Sequence, residues 1–253
     1  MRRELFYRPG LLLERLAEIA RERRRLKRLR GTVAEVLESG HIDSLELLDM
    51  LTDDPPKVIL DVGANVGTWT LLAKALFPAA EVHAFEPLPS HFEELKKKTS
   101  ALANVHLYPF ALGSTKGIVE LRRTSFSDAS SLLDLTSRGA DRWNISVDER
   151  VPVAVECLDD WAKRSGLLEV SLIKMDVQGF ELEVIRGGRS LVSRCESVLL
   201  EASFEEYYAG QCRFDELVVE LSQLGLSLAA VGHGIAVGAK LGQADLLFRR
   251  MRK

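Results

Sequence analysis

The sequence predicts an α/β domain on a doubly wound, mainly parallel sheet, preceded by an N-terminal helical extension. Three observations carry this. From Lys57 onward, short apolar runs rich in β-branched residues alternate with amphipathic helical stretches. The first such run, "KVILDV", turns through "GANVG" into a helix, and polar residues recur where each later run ends. Before Lys57, "TDDPPK" punctuates strongly, because Pro55 and Pro56 cannot continue a helix. The expected division is therefore an extension over 1–54 and the α/β domain over 55–253.

The elements follow in order. Residues 10–38 read as amphipathic helix, with Leu12, Leu16, Ile19, Leu26, Leu29, Val33 and Leu37 at three- and four-residue steps; Gly31 and Gly40 are potential breaks. "DSLELLDML" (43–51) reads as a short helix capped by Ser44 or Asp43. "KVILDV" suits a strand buried on both faces. "NVGTWTLLAKALF" is helical, "EVHAFEP" a strand, "PSHFEELKKKTSAL" a helix and "NVHLYPFAL" a strand. "GIVELRR" suits an added hairpin strand. "VPVAVECLDDWAKRSG" runs from strand into a helix capped by Asp159 or Asp160. "EVSLIKMDV", "FELEVIRGG", "SVLLEAS" and "FDELVVELSQLG" read as strand, helix, strand and helix, with Gly187-Gly188 and Gly225 as helix stops. "LSLAAV" and "ADLLFRR" close as strands, with "VGHGIAVG" a Gly-rich loop between them.

Composition narrows the function classes. A 253-residue chain, 46% hydrophobic and 28% charged, has ordinary globular composition, enough for one sizeable core with an appendage. No apolar run nears the roughly 20 residues of a membrane span, and the N-terminus lacks a signal-peptide pattern. The odd three cysteines, with no CxxC spacing, propose neither a disulfide framework nor a zinc site, so a reducing cytoplasm is the simplest location. Charge is asymmetric. Residues 1–30 hold eleven basic and four acidic side chains, a net of +7, which leaves −10 for the remainder. A catalytic domain made for nucleic acid would not be laid out this way, so no nucleic-acid partner is expected.

Ligands of a doubly wound sheet gather at the carboxyl ends of its strands, where Asp61, Glu86, Ala111, Asp176 and Glu201 stand. In Gly63-Ala64-Asn65-Val66-Gly67, two glycines permit a tight turn and a close ligand, and the helix that follows offers free N–H groups. The dinucleotide pattern GxGxxG fails at Asn65, which disfavours an NAD-dependent oxidoreductase. The remaining option is a nucleoside with an amino-acid tail. Glu86, closing "HAFE", is a planar acceptor for both ribose hydroxyls; its bland alternative is a solvated strand end.

At this point the chain resembles a known family. "DVGANVG", "VHAFEP", "YPFALG", "SSL", "CLDDW" and "IKMDVQGFELEVIRGG" are similar, in order, to the blocks of the FkbM-type methyltransferases, which use S-adenosylmethionine (SAM). The resemblance covers about residues 57–202, and "ADLLFRR" also fits. It implies a seven-stranded Rossmann-like sheet. It implies that Asp61, Gly63, Ala64, Asn65 and Gly67 line the methionine end of SAM, that Glu86 holds the ribose and that Pro87 shapes the turn beside it. Ala111 and Leu112 would border adenine, with Ser130 and Ser131 near the ligand, and Asp176 would stand where cofactor and acceptor meet. The family's usual "DVEG" is here "DVQG", with Gln178 in place of Glu.

The expected reaction is SAM-dependent methyl transfer to a hydroxyl of a small-molecule, sugar, polyketide or lipid acceptor. Its alternatives are a SAM-binding module without catalysis and, less favoured, the NAD-dependent oxidoreductase. Asp176 is the first candidate base, against a structural acid, and His233 the second, against an exposed loop histidine. Glu201 is expected to bind acceptor hydroxyls or to form a salt bridge. Asp128, Asp176 and Glu201 lack a compact metal-ligand spacing, so no metal is expected. His83, Trp69, Trp143 and Trp161 read as structural or packing residues. The basic run "RERRRLKRLR" (21–30) lies outside the resemblance. It is expected either to pack through its leucines, against the domain or a second subunit, or to meet an anionic membrane or acidic partner.

Overall fold

A computed structural model describes residues 9–38, 42–237 and 240–251, with the backbone alone described for 9–16, 18 and 233. The central sheet has seven strands: β1 (Val58–Val62), β2 (Glu81–Phe85), β3 (Val105–Tyr108), β7 (Leu172–Met175), β8 (Ser197–Ser203), β9 (Leu226–Val237) and β10 (Lys240–Arg250). Its order is β3-β2-β1-β7-β8-β10-β9. The chain runs outward from β1 to one edge and then crosses back to β7, so the strand order reverses between β1 and β7. All neighbours pair in parallel except β10, which is antiparallel to β8 and β9. The doubly wound, mainly parallel sheet is as expected.

Alternation along the strands sorts the core into two layers. Leu60, Val62, Ile173, Met175, Val198 and Leu200 point to one face, against α6 (Leu158–Ser165), α7 (Glu181–Gly187), α8 (Arg189–Val192) and α9 (Phe214–Gln223). Ile59, Leu172, Leu199 and Leu247 point to the other, against α3 (Thr68–Leu76) and the N-terminal segment. Burying one such aliphatic side chain stabilises by about 1.5–3 kcal/mol.

The N-terminal segment shares that second layer. α1 (Pro9–Arg28) ends before Gly31 and a series of turns follows, so the helix is shorter than its hydrophobic period suggested. Leu29, Ala34, Leu37 and Ile42 are buried there together with Leu45, Leu47 and Leu48 of α2 (Leu45–Asp49). Arg25 reaches Glu46 at 2.8 Å, and Arg28 forms a double-toothed pair with Asp49, tying α1 to α2. Residues 29–37 and 42–51 thus contribute buried side chains to the second core layer.

Four local readings change. Ser44 does not cap α2; its hydroxyl donates instead to Asp245 Oδ2 at 3.0 Å. Asp159 does not cap α6, whose N-cap is Cys157; it accepts from Ser190 and Leu191 amides at 3.0 and 2.8 Å and so caps the neighbouring α8. "NVHLYPFAL" is two strands, β3 and then β4 (Ala111–Leu112). β4 joins β5 (Gly117–Thr124) and β6 (Val147–Glu156) in a second sheet of order β4-β6-β5. The segment between β5 and β6, including a 3₁₀ turn at Ser127–Ala129 and α5 (Ser137–Trp143), folds over the carboxyl ends of the main sheet.

Candidate active site

The carboxyl ends of β1, β2, β7 and β8 open into a cavity of about 340 Å³, roofed by Leu121, Phe126 and residues 128–132 of the second sheet's insertion. That volume lies at the small end of ordinary ligand pockets. Its position is the one predicted, at the reversal of strand order.

One half is built by the β1 and β2 ends. β1 stops at Gly63 (φ 75°), and a Cβ there would sit 2.0 Å from the carbonyl oxygen of Asp176. Gly67 (φ 86°), the N-cap of α3, faces α4 (Pro89–Thr99); a Cβ would lie 2.8 Å from Leu95 Cδ1. Both glycines let the chain pack closely on itself, and Gly63 also lines the cavity. Between them Asn65 takes a left-handed backbone (φ 48°), a conformation Asn tolerates better than most residues. Its amide donates to Glu86 Oε2 at 2.9 Å, and its side-chain amide donates to Asp128 Oδ1 at 2.6 Å.

Glu86 is 5% exposed and lines the cavity. Its second oxygen, Oε1, accepts the Leu88 amide at 2.8 Å. A carboxylate has about four lone-pair sites. Each Glu86 oxygen therefore keeps one site for a ligand hydroxyl. Burial raises its pKa to about 7, against the two backbone amides and Lys174, which lower it. Gly63, Ala64, Asn65, Pro87, Ala111, Leu112 and Ser130 line the same cavity. Asp61 and Gly67 do not.

Asp61 lies beneath the floor, fully buried. It is the cross-strand partner of Lys174, whose ammonium stands 3.2 Å from Asp61 Oδ1 and donates to the Gly63 carbonyl at 3.0 Å. The Thr70 hydroxyl donates to Asp61 Oδ2 at 2.6 Å, which ties β1 to α3. Lys174 is buried among apolar strand neighbours, and its pKa is nonetheless raised, because Asp61 and Asp176 outweigh desolvation. A lone cation inside "LIKM" was the sequence signal for this pair, and it was missed.

The other half is acidic. Asp176 follows β7 and lines the cavity with its carboxylate 41% exposed, 3.9 Å from the Lys174 ammonium. Glu201 of β8 is the register partner of Asp245 of β10, so two acids face each other across the strands. Burial, with Asp176, Asp245 and Glu181 beside it, raises the Glu201 pKa well above the usual carboxylate range. The same desolvation raises Asp245 to about 6 and Glu181 to about 7. Gln178 spans the group. Its Nε2 donates to Asp176 Oδ1 at 2.7 Å and to Glu201 Oε2 at 3.3 Å; Gln243 Nε2 donates to the same Glu201 oxygen at 3.0 Å. Ser131 lies close by, its hydroxyl donating to the Gln178 carbonyl at 2.8 Å. Asp43, Ser44, Gln243 and Asp245 also line this end. Sequence reading found none of these four, because they come from the N-terminal segment and the last strand.

Of the remaining candidates, His233 stands in strand β9, not in a loop, and its side chain lies outside the described residues. His83 is buried beside Tyr108 and Trp161, its pKa lowered to about 4 by desolvation. Trp161 packs there, whereas Trp69 and Trp143 line the cavity. Among the described residues no group of three or more His, Cys, Asp or Glu is placed to hold a metal ion, and no helix is long and apolar enough to cross a membrane.

Comparison with known proteins bears on this cavity. The "Methyltransferase FkbM domain" model matches residues 61–228. The 2-O-methyltransferase NoeI of Sinorhizobium fredii is 29% identical over 168 residues, covering 64% of this chain and 69% of NoeI. The hexuronic acid methyltransferase AglP of Haloferax volcanii is 25% identical, covering 68% of this chain and 69% of AglP. The 31-O-demethyl-FK506 methyltransferase FkbM of Streptomyces tacrolimicus is 27% identical, covering 53% of this chain and 60% of that protein. Among solved structures, the magnesium protoporphyrin IX methyltransferase of Synechocystis with bound SAM superposes with a TM-score of 0.50 at 13% identity, over 84% of this chain and 80% of that one; it shares the fold. The donor set around Glu86 suits a nucleoside with a ribose and an amino-acid tail, and the family match takes in every cavity-lining residue from Val62 to Glu201. The chain belongs to the FkbM methyltransferase family, and its cofactor is S-adenosylmethionine.

Proposed function

We propose that this methyltransferase acts on a hydroxyl of a small-molecule, sugar, polyketide or lipid acceptor, with Asp176 as the base. The observation that carries the reading is the placement of Asp176. Its carboxylate is partly exposed in the cavity, between the Gly63–Glu86 half and the end lined by Ser44, Gln243 and Asp245. Relatives point the same way in kind, since a 2-O-methyltransferase and a 31-O-demethyl-FK506 methyltransferase are among them.

Bound SAM supplies an electrophilic methyl carbon on a positively charged sulfur. The protein's tasks are alignment and proton removal. Gly63, Ala64 and Asn65 hold the methionine end, Glu86 the ribose, and Pro87 the turn beside it. Ala111, Leu112 and Ser130 border the adenine, while Asp61 and Gly67 act from outside the cavity by fixing the β1–α3 turn. Holding the reacting atoms in line is worth about 7–11 kcal/mol in well-oriented systems. Asp176 would take the proton of an acceptor hydroxyl held at this point of the cavity; a positioned base adds about 10²–10⁴-fold. The far end of the cavity carries the carboxyl groups of Asp43 and Asp245, which suits a hydroxyl-bearing partner better than a phosphate.

The test joins binding to turnover. SAM and its demethylated product should each raise the melting temperature, and NAD should not, because a ligand specific for the folded state stabilises it. Methyl-labelled SAM offered with a metabolite pool should then label an oxygen. Binding without label on any acceptor would favour a SAM-binding module; label on nitrogen would overturn O-transfer.

The helix α1 supports a second reading, peripheral docking on an anionic membrane. Arg25 and Arg28 are spent on α2, but Arg21, Arg23, Arg24, Lys27 and Arg30 are exposed. Each basic side chain near an anionic membrane contributes about 1 kcal/mol. The full chain is expected to sediment with phosphatidylserine vesicles at low salt and to leave them at high salt. Replacing Arg21, Arg23, Arg24, Lys27 and Arg30 by Gln should abolish the effect; unchanged sedimentation would end this reading.

A further inference from the structure

We infer that the far end of the cavity, lined by Ser44, Gln243 and Asp245 with Trp143 on the adjoining wall, seats the methyl acceptor and selects an uncharged sugar ring over acceptors that carry a carboxylate or phosphate. The inference deepens the reading of this cavity as the site of O-transfer, and it rests on that reading. Three features carry it.

The first is a fixed carboxyl. Ser44 stands where it would cap α2, yet its hydroxyl donates to Asp245 Oδ2 at 3.0 Å and leaves α2 without a side-chain cap. Leu45, Leu47 and Leu48 of α2 are buried in the second core layer, so Ser44 is itself anchored. Beside this pair, Gln243 Nε2 is committed to Glu201 Oε2 at 3.0 Å and to Ser203 Oγ at 3.4 Å, which fixes the amide. A carboxyl accepts from a hydroxyl when ionised, and both donates and accepts when protonated. The seat therefore serves a hydroxyl in either state. Adjacent hydroxyls on a ring can reach one carboxyl together, the fit assigned above to the ribose and Glu86.

The second is charge. Asp43, Asp176, Glu201 and Asp245 line the cavity here, and a carboxyl offers no positive charge whatever its protonation. Among the described lining residues the basic side chains are Lys174 and His91. Lys174 is already bonded to Asp61 and the Gly63 carbonyl, and His91 stands beside Glu86 in the other half. A carboxylate or phosphate brought to the far end would be buried without a counter-charge, which is strongly unfavourable. A neutral ring meets no such cost.

The third is a flat apolar plate. Trp143, at the end of α5, is half-buried and lines the cavity. Its ring is held against Tyr207 and Tyr208, with centroids 4.8 and 6.0 Å away. The Tyr208 hydroxyl lies 3.0 Å from Gln178 Oε1, and Gln178 Nε2 donates to the same Glu201 oxygen that Gln243 bonds. The indole and the polar wall thus belong to one chain of contacts. A pyranose has an apolar C–H face and a rim of hydroxyls. An indole beside fixed hydrogen-bonding groups matches both. An alkyl chain has the apolar surface without the polar rim.

The test is equilibrium binding to the full chain saturated with S-adenosylhomocysteine, read by saturation-transfer NMR. The probes are methyl glycosides of glucose, galactose, mannose, rhamnose and xylose, with methyl glucuronide, glucose 6-phosphate and 1-octanol as counter-probes. At least one neutral glycoside should bind, and the counter-probes should not. Asp245→Ala and Trp143→Ala should each weaken that glycoside by about tenfold or more, with S-adenosylhomocysteine affinity within a few-fold of wild type. Ser44→Ala, the milder change, should weaken it severalfold and carries the test where either of the others does not fold. Binding of no neutral glycoside, equal binding of a counter-probe, or full affinity in the folded variants overturns the inference. The underlying reading fails separately. If the bound glycoside gains no label on oxygen from methyl-labelled SAM, O-transfer is wrong and the seat stands. If label enters an oxygen of a charged or sugar-free acceptor, O-transfer stands and this inference fails.

Discussion

Asp176→Asn is expected to lower methyl transfer by about 10²-fold or more while leaving SAM affinity within a few-fold of wild type. Asn keeps the size and polarity of the side chain and removes its basicity. The cofactor half of the cavity depends on Gly63 and Glu86, neither of which bonds the Asp176 side chain. Because Asn is neutral, the Lys174 ammonium loses one of the two acids beside it but keeps Asp61 at 3.2 Å. The floor of the site should therefore hold. Single-turnover rates and calorimetric SAM binding, measured on the same variant, separate the two effects. Binding that collapses along with turnover would reassign Asp176 to cofactor anchoring and send the search for a base to His233.

Glu86→Ala is expected to weaken SAM binding by at least tenfold without unfolding the protein. Two ribose hydroxyls on a buried carboxylate are charge-assisted bonds, each contributing about 1.5–3 kcal/mol. The variant also leaves the Asn65 and Leu88 amides without their acceptor, so Glu86→Gln, which retains an oxygen, is the milder control. The pH dependence is a sharper signature. Glu86 titrates near 7 in the free protein. Ribose hydroxyls donate best to its ionised form, so SAM binding expels the proton. Affinity should then fall as pH drops below about 7, by up to about tenfold per unit. His91, 3.9 Å from Glu86, has its pKa lowered by burial, so it does not reverse the sign. Wild type should show the slope between about pH 5.5 and 7, and Glu86→Gln should lose it. A slope identical in both would remove Glu86 from the ribose.

The strands and helices of the α/β domain, their order and most residues of the Gly63–Glu86 side of the cavity were readable from the chain. Such features are local or run in chain order. The run Val58–Val62, three of its five residues β-branched, suits a buried strand, and the glycines after it permit a turn. Glu86 follows because a carboxylate ending the next strand is one crossover away. The two capping misreadings share a cause, which is competition for a polar group. Ser44 and Asp159 both sit where capping residues belong, yet each bonds to an element distant in sequence. Asp245 outbids the start of α2, and α8 outbids the start of α6.

By itself, then, the sequence determined the class of fold, the family and most residues of the Gly63–Glu86 half of the cavity, because periodicity and a strand–turn–helix motif act over ten to thirty residues. Tertiary structure decided the rest. It carried Ser44 from the N-terminal segment and Asp245 from the last strand to the same wall, 3.0 Å apart and 201 residues separated. It also decided the surroundings of each acid: burial raises the pKa of Glu201 and of Asp245, Asp61 is paired to Lys174 across a strand register, and Asp176 is left partly in solvent with an amide at its side. Charge state depends on desolvation and on neighbours within a few ångströms. Both are properties of the packed chain, and no spacing along the sequence records them.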